Sequence, residues 1–148
     1  MNTFLSQNEA DELINMLKEC VDKIIHIPVQ GTSNKFLVKS IASSEHFDIV
    51  LSRKNRRVNK YSILALYNKD ILLLRLDMGP TAPHENPDTN EKILGAHLHI
   101  YREGIGAKFA IPVDDPIDGW EKSLSYLLNK FFVQDTPAIQ YKIGESIC

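Results

Sequence analysis

No stretch of this 148-residue chain stays apolar for the roughly 20 residues a bilayer-spanning helix needs. Cysteine is scarce. Cys20 and Cys148 are the only two, too few for a disulfide framework, which points to a reduced, cytoplasmic protein. Met1 to Ala10 lacks the basic and apolar segments of a secretory signal. Charge of one sign is lacking too. Lys and Arg total 17 against 19 Asp and Glu, a formal net charge of -2, so nucleic acid or anionic lipid would have to be met by a local patch. Repeats, low-complexity tracts and interdomain linkers are absent as well.

What is present is ordinary for a globular protein: 43% hydrophobic and 24% charged residues. Residues 1–148 read as one domain, long enough to bury a core without metal or disulfide staples. Ser6 with Glu9 forms a capping box, and Leu5 is placed to staple onto Ala10. Ala10, Leu13, Ile14, Leu17, Cys20, Val21 and Ile24 recur at helical spacing, and Pro28 and Gly31 close that segment. Cys20 then falls on the apolar face of the helix.

Short strands are predicted at Phe36–Ile41, His46–Arg53, Tyr61–Tyr67, Ile71–Asp77, Ala96–Arg102 and Lys108–Pro112. Asn68-Lys69 suits a tight hairpin turn, although Lys is a poor second residue there. Met78–Gly95, with three prolines and two glycines, reads as a long loop of the functional or mobile kind. Asp118 with Glu121 signals a second helix, whose stripe is Trp120, Leu124, Leu127, Leu128 and Phe131. Pro137 closes it, and Ile139, Tyr141 and Ile143 alternate as a last strand or docked tail. The fold class is α+β: a mainly antiparallel meander sheet flanked by an N-terminal and a C-terminal helix.

Chemistry concentrates on one strand. Alternation puts His97, His99, Tyr101 and Glu103 on one face, with Leu98 and Ile100 opposite. Arg75 and Asp77 share a face of the preceding strand, and Leu72, Leu74 and Leu76 take the other. Antiparallel pairing of the two strands would gather Arg75, Asp77, His97, His99 and Tyr101, with His84 supplied by the joining loop. The plain alternative is a solvated polar sheet face, with Arg75–Asp77 as a salt bridge and His84-Glu85-Asn86-Pro87-Asp88 as turn chemistry. His26 and His46 have no comparable company and are structural.

Three readings follow from these residues. In a metal-independent phosphodiesterase or ribonuclease, His97 and His99 act as acid and base. Arg75 and Tyr101 stabilise charge there, while Asp77 or His84 orients a ring. In a metal-binding protein or metal-dependent enzyme, His97, His99, Glu103 and His84 hold a divalent ion instead. The His-x-His-x-x-x-Glu spacing resembles the first metal motif of cupins, but Glu91 replaces its leading Gly and no histidine follows His99. In a non-catalytic interaction protein, such as an inhibitor or antitoxin-like partner, the same residues brace the loop. His97-Leu98-His99-Ile100 also begins like a histidine-triad motif, but Tyr101 stands where the third histidine belongs.

Arg53, Lys54, Arg56, Arg57 and Lys60 form the clearest charge asymmetry of the chain, with no acid between them. Such a cluster suits phosphate contacts with RNA or other nucleic acid, salt-sensitive and weak in sequence preference. A solvated charged loop is the plain alternative. Interleaved aromatics are missing, which argues against single-strand stacking.

Arg75-Leu76-Asp77, the His84…Asn86-Pro87-Asp88 segment and His97-x-His99-x-Tyr101-x-Glu103 together resemble an uncharacterised family of small bacterial and prophage-encoded proteins with a domain of unknown function. The resemblance runs from the basic loop to the last helix. The family pattern has Gly after Asn-Pro-Asp, where this chain has Thr89. Membership implies no established activity. A mobile-element setting would imply an effector acting on nucleic acid or on a host protein.

Overall fold

The computed structural model describes residues 5–53, 60–79, 83–113, 117 and 119–141. Helix α1 spans Gln7–Asn15 and begins with the expected capping box: the Ser6 hydroxyl accepts from the Glu9 N–H, and the Glu9 carboxylate accepts from the Ser6 N–H. It buries Ala10, Leu13 and Ile14. The helix does not continue to Ile24. Strands β1 (Lys18–Cys20) and β2 (Ile24–His26) take over, and Cys20 lies on β1 rather than on a helix.

The helical spacing beyond Asn15 is therefore not a buried stripe. Leu17, Val21 and Ile24 are 50%, 45% and 46% exposed. Ladder pairing of β1 with strands on both sides outweighs the periodicity, and local propensity yields to tertiary pairing.

Strands β3 (Ser33–Ser40), β4 (His46–Ser52), β5 (Tyr61–Tyr67) and β6 (Ile71–Met78) form a meander. The β5–β6 turn places Asn68 and Lys69 at φ 54° and 68°, the left-handed pair a type I′ turn requires. The segment expected to be one long loop instead holds a hairpin, β7 (Pro83–Glu85) with β8 (Lys92–Leu94). Strands β9 (His97–Ile100) and β10 (Ala110–Pro112) follow.

Helix α2 spans Trp120–Lys130 and buries Trp120, Leu124, Leu127 and Leu128. Gly119 occupies its N-cap position without a side-chain bond, and Asp118 lies outside the described residues. Two short strands complete the chain, β11 (Val133–Gln134) and β12 (Ala138–Gln140). Ile139 lies in β12; Ile143 and Cys148 lie outside the described residues.

The main sheet has eight strands in the order β10-β9-β6-β5-β4-β3-β1-β11. It is mixed rather than purely antiparallel, because β11 runs parallel to β1. β12 pairs with β2, also in parallel, as a separate ribbon.

One face of the sheet, with Phe47, Ile49, Ile63, Ala65, Leu74 and Leu76, joins both helices in the core. The other face carries Val50, Ser52, Ser62, Leu64, Arg75 and Asp77, all only partly buried. Over one end of that face the β7–β8 hairpin lies on β9 and β10. Its His84 ring packs on those of His97 and His99, and its Asn86 bonds to Ala110.

Candidate functional site

Pairing of β6 with β9 sets the site. Asp77 stands directly across from His97, and Arg75 across from His99. Side chains paired this way project from one face within contact distance. The hairpin closes the site from above, leaving His97 2% and His99 9% exposed. The three rings meet with centroids 4.7–5.3 Å apart. Each of His84, His97 and His99 can offer a nitrogen such that all three lie within 4.8 Å of one another.

The hydrogen-bond partners fix the tautomer of each neutral ring. His97 Nδ1 lies 2.8 Å from the Gly95 carbonyl, and His99 Nδ1 lies 2.8 Å from the Ala107 carbonyl. A carbonyl only accepts, so both Nδ1 atoms carry the proton and both Nε2 atoms carry a lone pair in the neutral ring. His84 reaches the same state by another route. The Asn86 amide is locked by Ala110, donating to its carbonyl and accepting its N–H, each at 2.8 Å. The Asn86 oxygen therefore faces His84 Nε2 at 2.9 Å, makes that nitrogen the donor and leaves Nδ1 free.

Asp77 completes the cluster. Its Oδ2 lies 3.3 Å from His97 Nε2 and 3.1 Å from His99 Nε2, while Oδ1 accepts from Arg75 Nε and the Ser62 hydroxyl, each at 2.7 Å. Burial alone would raise this carboxyl. Hydrogen bonds from Ser62 and Arg75, and from His97 and His99 when their rings are protonated, outweigh it and hold the group well below the usual carboxylate range. For His97 burial works to lower the pKa, but the Asp77 carboxylate and the Gly95 carbonyl prevail and raise it.

One protonated ring, or a cation bound in place of that proton, suits the Asp77 carboxylate better than two neutral or two charged rings. With neutral rings, two lone pairs would face a carboxylate. With both rings protonated, two imidazoliums would stand at a centroid distance of 4.9 Å, a repulsion of about 3 kcal/mol at an effective dielectric near 20.

Two residues expected in this cluster are elsewhere. β9 ends at Ile100, and the alternation that grouped Tyr101 and Glu103 with the histidines ends with it. The Tyr101 hydroxyl exchanges bonds with the Leu5 backbone, accepting from N–H at 2.6 Å and donating to the carbonyl at 2.8 Å. Glu103 accepts from the Gln7 N–H at 2.9 Å. Both latch the start of α1 to the chain after β9, and Glu103 is not among the grouped ligands. Asp88 pairs with Arg102 at 2.7 Å.

Of the basic segment, Lys54, Arg56 and Arg57 lie outside the described residues. Arg53 donates to the Pro28 carbonyl at 3.1 Å, and Lys60 is partly buried. Sequence reasoning did not assign Ser62 or the anchoring role of Asn86. Ser62 owes its place to β5–β6 register alone, whereas the His84-x-Asn86 spacing was a signal in plain view.

Fold and site together define an α+β protein with a mixed sheet and a tri-histidine cluster, two of its rings buried and one partly so, beside one carboxylate. The profile of a family of unknown function, DUF6978, matches residues 5–134, and the chain belongs to that family. No curated protein matches the chain, and neither does any solved structure. No described helix is long and apolar enough to cross a membrane.

Proposed function

We propose that this protein binds one divalent transition-metal ion through His84, His97 and His99, with Asp77 as the neighbouring carboxylate. The observation that carries the reading is that each ring commits one nitrogen to a fixed acceptor, while the three histidines can each offer a nitrogen within 4.8 Å of the others beside the Asp77 carboxylate. Metal-ligating histidines are held in this way, with the second nitrogen committed to a carbonyl, amide or carboxylate. Zinc ligands at tetrahedral corners stand about 3.3 Å apart; Asp77 lies 3.3 and 3.1 Å from His97 and His99, and the histidine nitrogens, within 4.8 Å of one another, would draw together on an ion. Imidazole nitrogens favour zinc, copper, iron or nickel. A bound ion with an open position would supply Lewis-acid chemistry to a hydrolytic reaction.

Elemental analysis of the purified chain tests this. The expected result is about one metal per chain, lost in the His97→Ala, His99→Ala double variant. Asn86→Ala, which frees the His84 ring, weakens binding about tenfold or more. Metal-free protein after incubation with zinc, or undiminished metal in the double variant, overturns the reading.

A second reading uses the same residues without a metal, and the raised pKa of His97 favours it. His97 as acid and His99 as base would cleave a phosphodiester, RNA first among candidates, with Arg53, Lys54, Arg56, Arg57 and Lys60 contacting the backbone. RNA cleavage that survives a chelator and is lost in His97→Ala would favour this reading over the first.

A further inference from the structure

Arg75 is held in an unusual way. Its Nε donates to Asp77 Oδ1 at 2.7 Å, so the guanidinium is fixed beside the carboxylate that touches His97 and His99. Among the described residues neither terminal nitrogen of Arg75 has a partner, and the side chain is 43% exposed. The arrangement is a clamped fork: Nε is committed to Asp77, and the part-exposed guanidinium has no partner for its terminal N–H groups among the described residues. Leu64 lies beside it in the cross-strand row and Val50 beyond that, both partly buried. Asp77 engages Ser62 and Arg75 Nε through Oδ1 and faces the two histidines through Oδ2, so the carboxylate holds only the Nε edge of the guanidinium.

We infer that the site takes a phosphoryl oxyanion, bound between the tri-histidine metal and the free edge of Arg75. A planar guanidinium matches two oxygens of a phosphate at once, and its pre-set orientation reduces the entropy lost on binding. Leu64 and Val50, partly buried in the same cross-strand row as Arg75, offer apolar surface to the organic portion of a phosphate ester, so we take the ligand class to be a phosphate ester rather than the inorganic ion alone. This inference rests on the metal reading. It adds a ligand class and assigns Arg75 a contact with that ligand.

The test uses the full chain loaded with cobalt(II), whose visible absorption reports the coordination shell, and inorganic phosphate as the first probe. The expected result is a saturable spectral change with phosphate. In Arg75→Gln the apparent affinity falls about tenfold or more, as for loss of a charge-assisted bond, while cobalt still loads at about one per chain. Arg75→Lys keeps the charge without the fork and lies between the two. Phenyl phosphate binds more tightly than inorganic phosphate, and Leu64→Ser removes that difference.

Failure to load cobalt overturns the metal reading and this inference with it. Cobalt loading with a spectrum indifferent to phosphate, or a phosphate response untouched in Arg75→Gln, overturns this inference alone. Acetate acting as strongly as phosphate at equal concentration overturns the assignment to phosphoryl groups. Equal affinity for phenyl phosphate and phosphate overturns the ester assignment.

Discussion

Lys18 carries its amine into the interior of the protein with no exposed surface. The nitrogen donates to the carbonyls of Ile14, Met16 and Phe131 at 2.8, 2.9 and 2.7 Å, and it lies 3.8 Å from the centroid of the Phe131 ring. One side chain thereby closes the C-terminal ends of both helices and holds β1 beneath them. Lys18→Met keeps the length but leaves three carbonyls short of a donor. It is expected to lose about 3 kcal/mol in urea unfolding. Burial pushes the Lys18 pKa down, to about 7. The unfolded chain therefore binds more protons between that value and about 10.4. The Lys18 contribution to stability rises with pH across that window, and Lys18→Met flattens the rise.

At the same scale, the residues legible in the sequence were those whose neighbours are fixed by alternation. Arg75, Asp77, His97 and His99 meet because two strands pair in the expected antiparallel sense. Tyr101 and Glu103 fell out of the group because the strand stops at Ile100, and no feature of residues 97–103 marks that end.

Elements were legible where local chemistry and tertiary pairing agree. The capping box started α1 where expected, and Tyr61–Tyr67 formed β5 with its expected bounds. They were not legible where pairing overrides pattern. The apolar spacing past Asn15 belongs to β1 and β2, because Lys18–Cys20 finds ladder partners in both β3 and β11. Prolines and glycines hid the β7–β8 hairpin, whose three-residue strands carry too short an alternation to read.

The β5–β6 turn invites a test at this scale. Lys69 holds φ 68°, a region that a residue with a Cβ enters at a cost of about 1 kcal/mol. Lys69→Gly relieves that strain and completes the favoured Asn-Gly pair. The variant is expected to gain about 0.5 kcal/mol in urea unfolding after the added entropy of the unfolded glycine is subtracted. A loss of stability would show that Lys69 contributes contacts outweighing its backbone.

The molecule as a whole brings its candidate ligands from separate pieces of structure. His97 and His99 stand on the main sheet, and His84 stands on the two-stranded β7–β8 hairpin. An ion shared between them would tie the hairpin to the sheet, so metal should act on global stability. With free zinc near a thousand times its dissociation constant, stabilisation of about 4 kcal/mol is expected, since binding favours the folded state alone. Thermal unfolding with zinc, with chelator, and in the His97→Ala, His99→Ala double variant measures it. A chelator shift that persists in the double variant would place the metal at other residues.

The sheet borders of this fold have a consequence for its dealings with other macromolecules. The outermost strands are β10, three residues long and ending in Pro112, and β11, two residues long. A foreign backbone laid along either margin would find almost no ladder to join, and proline presents no amide hydrogen there. Among the described residues, templated growth and strand-exchange recruitment are thus disfavoured at both flanks of the main sheet. Association at these two margins would rest on side chains, where selectivity comes from chemical complementarity rather than from main-chain pairing.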